Sequence, residues 1–249
     1  MARPTETRSK RVWTAARALL CLLLPVAGCS QSPVENTPEY LAAHGITPGR
    51  VNTVAVAGFR LRIPADLPVR VFTRGPIVKG QADELHFALD FSKKWAGTGA
   101  VEPSDRIDIG GREIVRVELH NRYTEGTAPG GVDPFTAEIL AWPRVADRAD
   151  LGLEEFVDPA QAKRNGQAAT FYKATTERSP RGRPVAILCQ IHPLINPTGY
   201  YLCEGRYQTL AGLTVGYKFY GGALDRWLVI ERTVVDRVDQ LILKDQGKR

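Results

Sequence analysis

The 249-residue chain has no Gly-x-Ser-x-Gly elbow, no His-Glu-x-x-His zinc pair, no phosphate loop and no complete dinucleotide fingerprint. Gly97-Thr98-Gly99 lacks the third glycine of such a fingerprint and follows no clear strand. Serine is scarce: past residue 29 it occurs only at positions 30, 32, 92, 104 and 179, all in tether-like or loop-like sequence. A serine hydrolase is correspondingly hard to assemble. No apolar run approaches the roughly 20 residues a helix needs to span a bilayer, which argues against a permanent membrane helix. The four cysteines, at 21, 29, 189 and 203, show neither Cys-x-x-Cys nor any other metal spacing. Repeats of fixed short period are absent, and no Lys/Arg cluster is interleaved with aromatics, so nothing calls for a nucleic-acid partner.

What is present begins at the N-terminus. Arg3, Arg8, Lys10, Arg11 and Arg17, opposed only by Glu6, precede the apolar residues 18–27. A basic region followed by a short hydrophobic core has the form of a secretory signal. Lys10-Arg11 lacks the first arginine of a twin-arginine signal, so general secretion is expected. Val26, Ala27 and Gly28 then lead into Cys29, and this ending resembles the lipobox of bacterial lipoproteins. The resemblance implies a diacylglyceryl thioether on Cys29, cleavage after Gly28 and acylation of the new amino terminus. Two or three acyl chains, at about 0.8 kcal/mol per buried methylene, hold a protein durably on a membrane where one does not. The alternative is an ordinary cleaved signal with a chance cysteine. Ser30, where retention at the inner membrane favours aspartate, implies by the same resemblance the periplasmic face of the outer membrane.

Removal of that leader changes the charge balance of the chain. Residues 1–28 hold five of the 33 Lys/Arg and one of the 27 Asp/Glu, which leaves the mature chain with 28 basic and 26 acidic residues and takes its net charge from +6 to +2. With Cys21 removed and Cys29 acylated, Cys189 and Cys203 remain as one pair, and in an oxidising compartment a disulfide is expected. Two buried free thiols are the alternative.

Residues 1–28 are therefore read as signal, 29–39 as acylated terminus and flexible tether, and 40–249 as a globular region, with 144–167 as the seam if it has two halves. Residues 39–44 suit one or two helical turns ended by Gly45. Val54 and Val56 share one parity while Phe59, Leu61 and Ile63 share the other, so Gly58 marks a bulge or tight turn. Leu85, Phe87, Leu89 and Phe91 alternate with Glu84, His86 and Asp90, and Val115, Val117 and Leu119 with Arg116, Glu118 and His120. Both are patterns of half-buried antiparallel strands. A third strand is expected at 135–142. Leu151, Leu153, Phe156 and Val157 fall near helical spacing, and a short helix is expected to open at Pro159. Strands resume at 168–174, 185–191, 200–207 and 213–219, the second and third placing Cys189 and Cys203 on facing positions. Residues 222–243 form one helix whose stripe is Leu224, Trp227, Ile230, Val234, Val238 and Leu241, with Glu231 among the polar residues opposite. The expected class is α+β: antiparallel sheet covered by a long C-terminal helix.

Glu84, His86 and Asp90, joined by Glu118 and His120, form the one cluster with the residue types of an acid–base or metal site. Alternation alone also predicts polar residues there. Asp105 and Asp108 before Gly110-Gly111 lack the oxygen spacing of a calcium loop and read as a turn; His44 and His192 fall in loop-like sequence. No catalytic residue, metal or cofactor is therefore assigned, and binding is favoured over catalysis. In outline the chain resembles the periplasmic immunity lipoproteins of type VI secretion, on residues 26–29, the strand Gly58-Phe-Arg-Leu-Arg-Ile-Pro and the closing Tyr217-x-Phe219 to Trp227 helix. That resemblance implies a secreted effector as partner and the membrane, through lipid, as anchor. The other readings are an envelope lipoprotein that binds a small ligand, lipid or glycan or assists envelope assembly, and an enzyme acting on cell-wall or lipid substrates.

Overall fold

Thr37, Pro38 and Gly45 punctuate the first element of the computed structural model, which describes residues 35–91, 99–101, 113–120, 142–157, 169–191 and 201–243. Val26, Ala27, Gly28 and Cys29 lie outside those residues, as do Asp105, Asp108, His192, the helix expected from Pro159 and nearly all of the strand expected at 135–142. Helix α1 (Pro38–Ala43) opens with Pro38 in its first turn, and the Thr37 side chain accepts a hydrogen bond from the Tyr40 amide at 3.2 Å. It starts inside the stretch read as tether. Asn36 also accepts from the Val71 amide at 3.0 Å, so folded structure is under way before residue 40.

The parity change at Gly58 is a two-residue hairpin. β1 (Asn52–Val56) and β2 (Phe59–Ile63) pair with Val56 opposite Phe59, and Ala57 (φ 52°) and Gly58 (φ 89°) are both left-handed, as a type I′ turn requires. β4 (Gln81–Ala82) adds to β1 in parallel and completes a small sheet of order β2-β1-β4.

The remaining strands form one ten-stranded antiparallel sheet. They are β3 (Arg70–Phe72), β5 (Glu84–Asp90), β6 (Gly99–Val101), β7 (Ile114–His120), β8 (Arg144–Arg148), β9 (Leu153–Val157), β10 (Thr170–Arg178), β11 (Pro184–Ile191), β12 (Tyr201–Gln208) and β13 (Thr214–Tyr220). Their order is β3-β5-β7-β13-β12-β11-β10-β9-β8, with β6 also paired to β5. Two strands therefore occupy 144–157, where helical spacing was expected. Leu153 and Phe156 are buried on opposite faces, Leu153 in the main core and Phe156 in a smaller cluster with Phe171 and Leu188. A strand that buries residues on both faces at odd spacing imitates the three-residue step of a helix.

The main core lies on the face carrying Leu85, Phe87, Val117, Tyr217 and Ile187, shared with Val54, Val56, Leu61 and Ile63 of the small sheet. The closing helical segment packs onto the same core. It opens as a 3-10 stretch, Gly221–Arg226, and continues as α2 (Trp227–Leu241), whose α-helical part is 15 residues and shorter than the long helix expected. All six residues of the apolar stripe are buried, worth about 2 kcal/mol each in gross transfer free energy. Glu231 departs from the expected pattern: it is 3 % exposed and stands against the core tyrosines Tyr207 and Tyr217. Beyond α2 the chain pairs Ile242 with Leu61, and the Leu243 amide donates to the Arg60 carbonyl at 2.9 Å. Among the described residues no helix is long and apolar enough to cross a membrane.

Candidate functional site

The alternation that sends Leu85, Val117 and Val215 into the core sends their neighbours to the other face of the large sheet, and the strand register decides which of these meet. His86 stands opposite Glu118, Glu118 opposite Gly216, and Gly216 opposite Arg206. In the next row Arg116 faces Lys218 and Lys218 faces Glu204. His120, Thr214 and Gln208 make a third. Four of the five residues of the sequence-predicted cluster therefore converge, while Asp90 lies at the far end of β5 opposite Ile114.

These groups are less exposed than the face of a half-buried sheet would suggest. Glu84, Asp90 and His120 are each 9 % exposed or less. The Phe72 ring lies 4.6 Å from that of His86 and forms part of the screen. The Glu118 carboxylate and the His120 imidazole both flank Gly216 on β13, each 3.9 Å from where a Cβ would stand.

Ion pairs bind the cluster together. Lys218 Nζ lies 3.0 Å from Glu118 Oε1, Arg74 Nη2 3.4 Å from Glu84 Oε1, and His86 Nε2 3.5 Å from Glu84 Oε2. Burial lowers the pKa of His86, and the carboxylates Glu118 and Glu84 only partly oppose that. Burial alone would raise the pKa of Glu118, but Lys218, with His86 and Arg116, outweighs it and holds the carboxyl below its usual range. The carboxylates are thus engaged by cations. Among the described residues no group of three His, Cys, Asp or Glu side chains could hold a metal ion. Chemically, the arrangement presents fixed charges of both signs.

Register carries the same face into different territory. The row Arg116–Lys218–Glu204 continues through Leu188 and Phe171 to Phe156, where Trp142 and Ala186 pack against a buried apolar cluster. Lys173 Nζ sits 5.5 Å above the Phe156 ring and pairs with Glu154 at 2.5 Å. Sequence reading misses this row, because only the pairing order brings residues from so far apart in the chain into line.

The other predicted residues have structural roles. Cys189 and Cys203 are directly opposed on β11 and β12, fully buried in the core face, and joined by a disulfide. His44 is buried, its Nδ1 2.6 Å from the Gln81 carbonyl, where it docks α1 against β4.

No protein-family model matches the sequence, and no curated protein matches it. Among solved structures the chain is similar to Smlt3025, an immunity protein of the Stenotrophomonas maltophilia type IV secretion system. The TM-score is 0.47 and the identity 15 %, over 79 % of this chain and 94 % of that one.

Proposed function

We propose that this chain is an envelope lipoprotein, acylated at Cys29, that acts by binding another protein, and that the partner is a secreted toxic effector which it neutralises. The observation that carries the binding reading is the cross-strand row from Arg116 to Phe156. Charges of both signs fixed by ion pairs steer and register a partner, and the half-buried Trp142, packed on the buried Phe156–Phe171 cluster at the end of the row, adds an aromatic contact. Because the charges are already held in place, little side-chain freedom is lost on binding. The anchor rests on Val26, Ala27, Gly28 and Cys29 behind a basic, then apolar, leader, and Ser30 supports the periplasmic face of the outer membrane.

The test pairs the full chain, in detergent, with the secreted effector encoded beside its gene. A stable complex is expected, with charge reversal at both Lys173 and Lys218 weakening it more than tenfold while cooperative melting persists. Cells that lack the protein yet tolerate the effector would refute the reading. Cys29→Ser is expected to move the protein from the membrane to the soluble fraction; unchanged tight membrane association would place the anchor elsewhere.

A further inference from the structure

Three hairpin turns meet at one end of the large sheet. The row Val71–Leu85–Leu119–Val215–Tyr207 crosses five strands, and just past Tyr207 the chain turns at 209–213 between β12 and β13. The turn at 179–183 between β10 and β11 is fastened beside it, because Arg181 Nε donates to the Thr209 carbonyl at 3.1 Å. The β1–β2 turn completes the group: the Phe59 ring and the Arg181 guanidinium both lie within 4 Å of where a Cβ on Gly212 would stand.

The makeup of this end is unlike that of the sheet faces. Leu210, at the tip of the β12–β13 turn, is 77 % exposed, more than any other large hydrophobic side chain among the described residues. A lone exposed leucine is ordinary, but this one stands among cations. Arg178, Arg181 and Arg183 flank the neighbouring turn, and Arg60 follows Phe59 on β2. Segments 57–62, 178–184 and 208–214 contain no Asp or Glu. The acids nearby are engaged or set apart. Glu177 pairs with Arg232 and Glu84 with Arg74, and Asp236 and Asp239 face Arg178 across a groove whose lining stops at Pro180.

The N-terminal tether gives an independent reason to ask what this end meets. Asn36 accepts from the Val71 amide, so the chain enters the fold on the row just below the turns. Cys29 precedes Asn36 by seven residues, which extend to at most about 25 Å. From β3 to β12 is four steps across the sheet, about 19 Å at the usual strand spacing. A lipid on Cys29 therefore keeps a bilayer within reach of all three turns. Such a surface matches them chemically, with anionic phosphates for guanidinium groups and an apolar layer beneath for a leucine. We propose that these turns rest on the anionic headgroups of a phospholipid bilayer, with Leu210 entering the acyl boundary and Arg181 and Arg183 meeting phosphates. The proposal rests on the reading of Cys29 as the lipid anchor. Acyl chains keep the protein at the membrane, and this contact fixes how it stands: strands upright, with the Arg116–Phe156 row turned away from the bilayer.

The full acylated chain would be reconstituted into vesicles of phosphatidylcholine with and without phosphatidylglycerol. Lipids brominated on their acyl chains should quench Leu210→Trp at least twice as strongly as wild type, and more so with phosphatidylglycerol present. Unacylated protein, Cys29→Ser, should bind phosphatidylglycerol vesicles, and that affinity should fall fivefold or more when either Arg183→Glu or Leu210→Asp is added, with cooperative melting retained. An absence of extra quenching, or an undiminished affinity in either folded variant, would overturn the docking surface. If the lipid holds the wild type on vesicles while Leu210→Trp goes unquenched, the docking proposal falls alone. If the wild type carries no acyl group and the charge-dependent vesicle binding is still found, the anchor reading falls instead.

Discussion

Replacing Glu231 with glutamine should flatten the pH dependence of stability in a direction fixed by the burial of that carboxyl. The side chain keeps its size and loses its charge. In the folded chain burial raises the Glu231 pKa from 4.5 to about 7, opposed by the Tyr217 phenol and supported by Glu177. The folded state therefore holds this proton where the unfolded state has released it. Its contribution to stability is fully present below pH 4.5 and is lost as pH rises through about 7. At roughly 1.4 kcal/mol per pH unit the loss is about 3 kcal/mol, or roughly 6–12 °C in melting temperature for a domain of this size. Urea unfolding at pH 5, 6, 7 and 8 would be compared between wild type and Glu231→Gln. The stability difference should favour the variant progressively above pH 5 and level off near pH 8. His86, whose pKa is lowered by burial, acts with the opposite sign, adding stability as pH rises, but it is common to both proteins and cancels in the difference. A difference that stays constant across the four pH values would refute the reasoning.

Three further changes probe the scaffold. Ala57→Asn places a residue that tolerates the left-handed conformation at the first turn position of the β1–β2 hairpin and should add about 0.5–1 kcal/mol in urea unfolding; a loss would mean that the turn does not constrain the hairpin. Gly205→Ala puts a methyl group into the Tyr217 ring packed over β12, and its stability in urea should fall by about 3 kcal/mol, the upper part of the usual overpacking range. Cys189→Ala/Cys203→Ala removes a link between residues 14 apart and should cost about 3 kcal/mol, read as a lower melting temperature that reductant produces in the wild type and not in the variant.

The elements legible in the sequence are those whose burial is one-sided. Leu85, Phe87 and Leu89, and Val115, Val117 and Leu119, alternate because one face of their strands meets the core. The α2 stripe from Trp227 to Leu241 recurs because one side of a helix does. Where burial is two-sided the signal fails, and Leu153 and Phe156 on β9 read as helix for that reason. Cys189 and Cys203 are predictable as partners once Cys21 is read as leader and Cys29 as the lipid site, a reading that leaves no others. The site was only half visible: alternation put His86 and Glu118 on the same kind of face, but their direct opposition, and the continuation of that face to Phe171 and Phe156, belong to a strand order that no local pattern encodes. Glu231 was hidden for a simpler reason. It sits one position from Ile230 at the border of the apolar stripe, where a charged residue is expected to face water and where Tyr207 and Tyr217 draw it inward.

The contacts of the last residues with the first hairpin bear on how the chain reaches this state. Leu61 in β2 meets Ile242, and Arg60 receives a hydrogen bond from Leu243, while β7 finds its second neighbour only in β13, almost a hundred positions further on. Closing such long loops is entropically costly before the contacts return it, which slows folding. The β7–β13 pairing and the Leu61–Ile242 contact both wait for the C-terminal fifth of the chain. Truncation near residue 240 would therefore remove contacts that tie the closing segment to the first hairpin rather than trim a free end.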